Sequence, residues 1–499
     1  MYIVHIASEL SPIAKVGGLA DVVSGLSKEL KLKGLHVEII IPKYDCVDYS
    51  QVKEFKIAYH DLKSYYDGTW VSNTVWQGLV DDITVFFIEP HNETTFFSRG
   101  EFYNCSDNVD RFSYFSRASL EFLLRTGKNP DILHCHDWHT ALVPLFYQEI
   151  HKSLGLSIKG ILFTIHNLEH QGQASYLILD RLGLSGHYFL NPNRLQDPHN
   201  PSFVNLMKSG IIYSDYFTTV SPNYAKEVQT IEGGCGLHQT IQNYNYKFDG
   251  ILNGLDYQYW NPETDSYLPT HYSLKQMSDK DVISFKNHKA ANKFFLKKRL
   301  SLKGDARPLV GCISRLVPQK GIHLIENALF RTLEKGGEFI LLGTSPDPVT
   351  TERFHKLKFN LANNSHVHFE LQYNEELSHQ IFAGCDFFIV PSIFEPCGLT
   401  QLIALRYGTV PIVRKTGGLA DTIFDMDYAD KPFEERNGFT FDHPDKMGVY
   451  SALDRAIDNW YNHTDSLQAI TLQGMLMDFS WNLPSKEYID FYNRCCKVQ

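Results

Sequence analysis

Short apolar runs that end in glycine, serine or charged loops, alternating with stretches of helical spacing, constrain this chain more than any other feature. Tyr2 to Ala7 is the first such run; Leu19, Val22, Val23, Leu26 and Leu30 then recur at helical spacing, and Leu35 to Pro42 supplies the next run. That order predicts a strand–helix–strand unit. Runs at Ile132 to Cys135, Gly160 to Thr164, Tyr216 to Val220 and Asp249 to Leu252 extend it into a doubly wound N-terminal half. A polar, Lys-rich stretch from Ser273 to Lys303 predicts a helix. A second series follows it, at Leu309 to Ile313, Phe339 to Leu342, Val367 to Phe369, Phe387 to Val390 and Val410 to Val413. Helical segments, among them Gly321 to Glu334 and Gly398 to Tyr407, lie between these runs. Two open α/β sheets are the consequence. In such sheets ligands bind beyond the carboxyl ends of the strands, so the loops there are where chemistry is sought.

A chain of 499 residues exceeds what one hydrophobic core organises, in agreement with two domains. No stretch approaches the ~20 apolar residues that cross a bilayer. The opening Met1 to Ala7 has neither a basic flank nor a long apolar core and reads as a strand, so a cytoplasmic protein is expected. Nine cysteines with no C-x-x-C pair read as reduced thiols. A net charge of −10 argues against a nucleic-acid binder, which needs a concentrated basic face. Any charged ligand must be met by a few local cations.

Three loops offer candidate binding groups, two of them cationic. Lys15-Val-Gly-Gly-Leu-Ala-Asp21 places Gly17 and Gly18 at a helix start, where free N–H groups and the helix dipole attract an anion, and Lys15 adds a mobile charge. The same pattern recurs as Lys415-Thr-Gly-Gly-Leu-Ala-Asp421, so a shared architectural turn is an open alternative for both copies. Ser314-Arg-Leu-Val-Pro-Gln-Lys-Gly321 follows the first C-terminal strand. Arg315 brings a planar fork of donors and Lys320 a point charge, suited to a diphosphate. Glu395-Pro-Cys-Gly-Leu-Thr400 joins a strand to a helix. Its carboxylate can hold sugar hydroxyls or positive charge on a reacting ring, Gly398 and Leu399 supply helix-start N–H groups, and Cys397 reads as a small pocket-lining thiol.

His134-Cys-His-Asp-Trp-His139 has the composition of a metal site, but consecutive strand residues alternate faces and cannot all converge. It reads instead as a strand end that delivers Asp137 to a cleft. Thr164-Ile-His-Asn-Leu168 brings His166 and Asn167 to the same crevice, and for Leu252-Asn-Gly-Leu-Asp256 a simple turn, which Asn-Gly favours, is an open alternative. Asp425-Met-Asp427 reads as a solvated loop, and no metal is expected.

Together these blocks, in their order and spacing over nearly the whole chain, closely resemble glycogen and starch synthases of glycosyltransferase family five. The resemblance implies a GT-B fold, with two Rossmann-like doubly wound domains facing across a cleft. These fall at 1–252 and 253–475, with a C-terminal segment, 476–499, crossing back to the first domain and a hinge near 253–262. It implies retaining transfer of glucose from ADP-glucose to the non-reducing-end 4-hydroxyl of an α-1,4-glucan, without a cofactor. Lys15 and Gly18 would meet the distal phosphate, and Arg315 and Lys320 the leaving diphosphate. Asp137, His166 and Asn253 would surround the glucose, with Glu395, Cys397 and Gly398 on its hydroxyl side. Asn167, Gly17, Leu399 and Thr400 complete the expected site. Glu169-His170 and Gly233-Gly-Cys-Gly236 depart from the family pattern. A UDP-glucose-using glucan synthase and an inactive glucan-binding protein of the same fold stay open, as does the oligomeric state. A nicotinamide-dependent oxidoreductase is disfavoured because no G-x-G-x-x-G opens either half.

Overall fold

The apolar runs become strands buried on both faces in a computed structural model that describes residues 1–303 and 306–497. The last two residues of the 476–499 segment therefore lie outside the described residues. The chain forms two compact units, Met1–Gly254 with Trp481–Gln499, and Leu255–Ser480.

The first unit carries a nine-stranded sheet built from β1 (Tyr2–Ile6), β2 (His36–Pro42), β3 (Lys53–Tyr66), β4 (Thr69–Val80), β5 (Ile83–Pro90), β6 (Ile132–His136), β7 (Gly160–Ile165), β10 (Tyr216–Thr219) and β11 (Phe248–Gly250). A separate ribbon pairs β8 (Gln173–Ser175) with β9 (Phe203–Asn205). The order in the large sheet is β11-β10-β7-β6-β1-β2-β5-β4-β3, so the strand sequence reverses between β1 and β6. All pairs are parallel except β5 with β4 and β4 with β3. Sequence reading missed that antiparallel extension. Its signal is the two-residue Asp67-Gly68 turn, with φ of 48° and 80°, that closes β3 onto β4 in the left-handed geometry hairpins favour. The first helix, Gly18–Leu32, buries Leu19, Val22, Val23, Leu26 and Leu30, the face its spacing predicts.

The second unit holds six parallel strands, β12 (Leu309–Arg315), β13 (Glu338–Thr344), β14 (Val367–Glu370), β15 (Phe387–Val390), β16 (Val410–Arg414) and β17 (Phe439–Phe441). Their order is β14-β13-β12-β15-β16-β17, which puts its reversal between β12 and β15. Packed apolar clusters cover the sheet, one around Phe388 and Leu405 and another around Phe387 and Leu453.

The unit boundaries differ from the expected 252/253 and 475/476 for identifiable reasons. Leu255 N donates to Phe479 O at 2.7 Å, and Phe479 N to Tyr257 Oη at 2.9 Å, which ties residues up to Ser480 to the second unit. Gly254 instead packs against the backbone of Trp481, where an added Cβ would lie 2.7 Å from Trp481 Cα. The terminal helix accordingly begins at Asn482 and runs to Cys495, with Tyr488, Phe491 and Tyr492 joining the core of the first unit beside Ile3 and Leu26. Trp481 is only 4% exposed and fills the space left by Gly25 and Gly254. Trp481→Ala is expected to lower the unfolding free energy of this unit by about 3–5 kcal/mol, read from urea denaturation.

Candidate active site

Both reversal points carry the polar residues that the sequence singles out. After β1 the chain turns through Glu9 to the helix at Gly18. Glu9 Oε2 accepts from Val16 N at 2.9 Å and Gly17 N at 2.8 Å, and its other oxygen accepts from Tyr103 Oη at 2.8 Å. The N–H of Gly17, expected to be free, is therefore engaged: a buried carboxylate already occupies the electropositive helix start. Lys15 pairs with Asp21 at 2.8 Å. A Cβ at Gly17 would meet no atom within 4 Å, so packing does not demand glycine there. The second copy is different. Gly417 has φ +46° and abuts the carbonyl of Glu395, while Gly418 N donates to that carbonyl at 3.1 Å. This copy is an architectural brace for the Glu395 loop.

Asp137 follows β6 with φ 55° and ψ −179°, a backbone region that is essentially glycine's own and costs other residues about 1–3 kcal/mol. Its amide donates to Thr164 O at 2.9 Å, and its Oδ1 accepts from His166 N at 2.7 Å and Asn167 N at 3.3 Å. Burial outweighs those donors and pushes the Asp137 carboxyl up to about 7. Asn167 turns its own Oδ1 to Glu169 N at 3.0 Å. Asn253, 5% exposed, leaves its Oδ1 without a hydrogen-bond partner among the described residues.

His134 and His136 sit two apart on one face of β6, and His5 joins them from β1, so their ligand atoms lie within 4.8 Å of one another. Strand alternation thus separates neighbours in sequence but not these three. All of their nitrogens except His5 Nε2 are nevertheless committed, to one another, to His166 or to hydroxyls. His136 Nε2 meets His5 Nδ1 at 3.0 Å, and its Nδ1 meets His166 Nε2 at 3.0 Å. His134 meets Tyr492 Oη at 2.8 Å and Thr164 Oγ1 at 2.7 Å. Burial holds His5, His139 and His166 down to about 3, and His134 and His136 well below the usual imidazole range. Sequence reading missed Glu9 and His5; the available signals were a carboxylate just before the glycine pair and a histidine inside an apolar strand.

In the second unit Arg315 ends β12, exposed and without an ion pair among the described residues. Lys320 closes the short turn Pro318–Lys320 and donates to Glu395 Oε2 at 2.6 Å; Ser392 Oγ donates to the same oxygen at 2.7 Å. The next residue, Gly321, has φ +69°, and an added Cβ would lie 2.4 Å from Pro391 O, so glycine is required there. Cys397 is buried, and Gly398, Leu399 and Thr400 lead into the helix Thr400–Arg406. Asp425 and Asp427 do not form a solvated loop. Asp425 is buried and, with Asp427, grips Arg455 at 2.8 and 2.6 Å, which makes the pair a structural clamp.

The family model described as the starch synthase catalytic domain matches residues 2–243, and that of glycosyl transferases group 1 matches residues 294–470. Similar proteins include the glycogen synthase of Protochlamydia amoebophila, 52% identical over 99% of both chains. Glycogen synthase 2 of Methylococcus capsulatus is 46% identical over 98% of this chain and 99% of its own. Among solved structures, the catalytic domain of starch synthase IV from Arabidopsis thaliana, bound to ADP and acarbose, is similar with a TM-score of 0.94 at 47% identity, covering 99% of each chain. A sucrose-phosphate synthase from Thermosynechococcus elongatus, with a TM-score of 0.57 at 16% identity, shares the fold alone.

The buried groups make stability depend on pH in two opposed ways. Below 6.5 the unfolded chain protonates histidines that the folded protein keeps neutral down to about 3, so their effect is a loss of stability as pH falls through that window. Asp137 acts in reverse: between 3.8 and about 7 the folded protein holds a proton that the unfolded chain has released, so its contribution is lost as pH rises. Asp137→Asn is therefore expected to gain on the wild type by about 2 kcal/mol between pH 5 and pH 8. Urea midpoints at the two pH values check this.

Proposed function

We propose that this chain, which belongs to the starch and glycogen synthase family of glycosyltransferases, moves glucose from ADP-glucose to the non-reducing-end 4-hydroxyl of an α-1,4-glucan, with retention of configuration. The observation that carries the choice of donor is the likeness, at 47% identity, to a catalytic domain bound to ADP and acarbose. No helix among the described residues is long and apolar enough to cross a membrane, which agrees with a cytoplasmic site of action.

As the bond to the diphosphate breaks, negative charge grows on the leaving group and positive charge on the sugar ring. Arg315 and Lys320 answer the first, acting as electrostatic catalysts, with Lys15, Gly17 and Gly18 assigned to the distal phosphate. Asp137, His166, Asn167 and Asn253 are assigned to the glucose; the unpartnered Asn253 Oδ1 is an acceptor ready for a sugar hydroxyl. Glu395, with Cys397, Gly398, Leu399 and Thr400 along the same loop, takes the hydroxyl side. Lys320 holds Glu395 at 2.6 Å and keeps further N–H donors for a phosphate, so the leaving group and the sugar-side carboxylate can share one cation. The cations at the diphosphate are side chains, and no step is assigned to a metal or cofactor.

Incubation with glycogen and either ADP-glucose or UDP-glucose, following nucleoside diphosphate release and glucan growth, tests this directly. Extension with a strong preference for ADP-glucose is expected; a preference for UDP-glucose overturns the donor, and no extension from either overturns the activity. Glu395→Ala is expected to lower kcat roughly 100- to 1,000-fold, a larger effect than the loss of stability that follows from the unpaired Lys320, read by thermal unfolding. For Lys15→Ala a raised KM for the donor is expected, measured in the same assay.

A further inference from the structure

His5, His136 and His166 form an unbranched hydrogen-bonded chain that crosses the sheet from β1 through β6 to the end of β7. Its links are His5 Nδ1 to His136 Nε2 and His136 Nδ1 to His166 Nε2, each 3.0 Å. His5 and His136 are fully buried, and His166 is 9% exposed. Burial keeps all three neutral near pH 7, so each ring carries one proton. A neutral imidazole that donates through one nitrogen accepts through the other. The three rings therefore share one direction: either every Nδ1 is protonated or every Nε2 is.

The two ends of the chain choose between these states. His5 Nε2 is buried without a hydrogen-bond partner among the described residues. With the Nδ1 protons in place that atom is a bare lone pair; with the Nε2 protons in place it is a buried N–H with no acceptor, the rarer fault in folded proteins. A preformed metal site is disfavoured because both nitrogens of His134 and of His136 are already committed. We propose that His5 and His136 are positioning residues that lock His166 in its Nδ1–H tautomer, so that His166 presents a hydrogen-bond donor to an oxygen of the bound sugar. The part concerning the sugar rests on the function proposed above; the tautomer does not.

The test uses full-length protein labelled with 15N-histidine, in which long-range proton–nitrogen correlation spectra separate Nδ1–H from Nε2–H rings and His166→Gln assigns the signal. Wild-type His166 is expected as the Nδ1–H form. His5→Asp, whose carboxylate oxygen near the position of Nδ1 can only accept, from His136 Nε2–H, is expected to reverse the chain and move His166 toward the Nε2–H form. It should also lower kcat about 3- to 10-fold, the worth of one hydrogen bond, with a smaller change in KM. His5→Asn, which can keep an N–H near the position of Nδ1, should restore both readouts. A wild-type His166 protonated on Nε2, or stoichiometric zinc bound by the histidines, overturns the proposal, as does a folded His5→Asp protein with unchanged tautomer and kcat. The wild-type spectrum decides the tautomer even if His5→Asp does not fold. If His166 is the Nδ1–H form but no glucan is extended, the functional reading fails and the tautomer assignment stands.

Discussion

The first unit depends on a column of polar side chains that must satisfy one another inside a parallel sheet. β1, β6, β7 and β10 are covered on both faces, yet they carry His5, His134, His136, Thr164 and Thr218 toward their carboxyl ends. Charging any of these rings in so dry a place is costly, so they remain neutral and pair internally: Thr164 Oγ1 bridges His134, at 2.7 Å, and Thr218, at 2.8 Å. The column fixes the strand ends, and the strand ends fix the site. Asp137 keeps its strained backbone because its amide is tied to Thr164 O, while the amide of His136, one residue earlier, is tied to Thr140 Oγ1 at 2.6 Å.

The second unit solves a different problem with fewer parts. Its reversal point displays one exposed arginine and one lysine matched to a buried glutamate. In both units a carboxylate already answers a positive group, Glu9 at the helix start and Glu395 at Lys320. Under the proposed function the Gly17 N–H must leave Glu9 to meet a phosphate, whereas Arg315 and the further N–H groups of Lys320 meet it without giving up a partner.

The alternation of strands and helices was legible from periodicity alone, because buried parallel strands must be apolar and their covering helices amphipathic. β3 and β4 were not, since half-exposed antiparallel strands mix polar residues such as Lys56, His60 and Lys63 into their pattern. Lys15, Asp137, His166 and Glu395 could be picked out as candidates because they sit where an open sheet must place chemistry. Glu9 and His5 could not, because one acts through backbone amides and the other through a second histidine, and both contacts need the register that sets His5 beside His134. The two Lys-x-Gly-Gly loops read alike in sequence. Only the space around Gly17, against the carbonyl pressed on Gly417, tells a candidate ligand loop from a brace.

The linkage made by the protein tests the proposed chemistry most directly. With ADP-glucose labelled by 13C at the anomeric carbon and glycogen as acceptor, the carbon spectrum of the product should show the label entering α-1,4 glycosidic positions. Label recovered as free glucose or in a β linkage would contradict it.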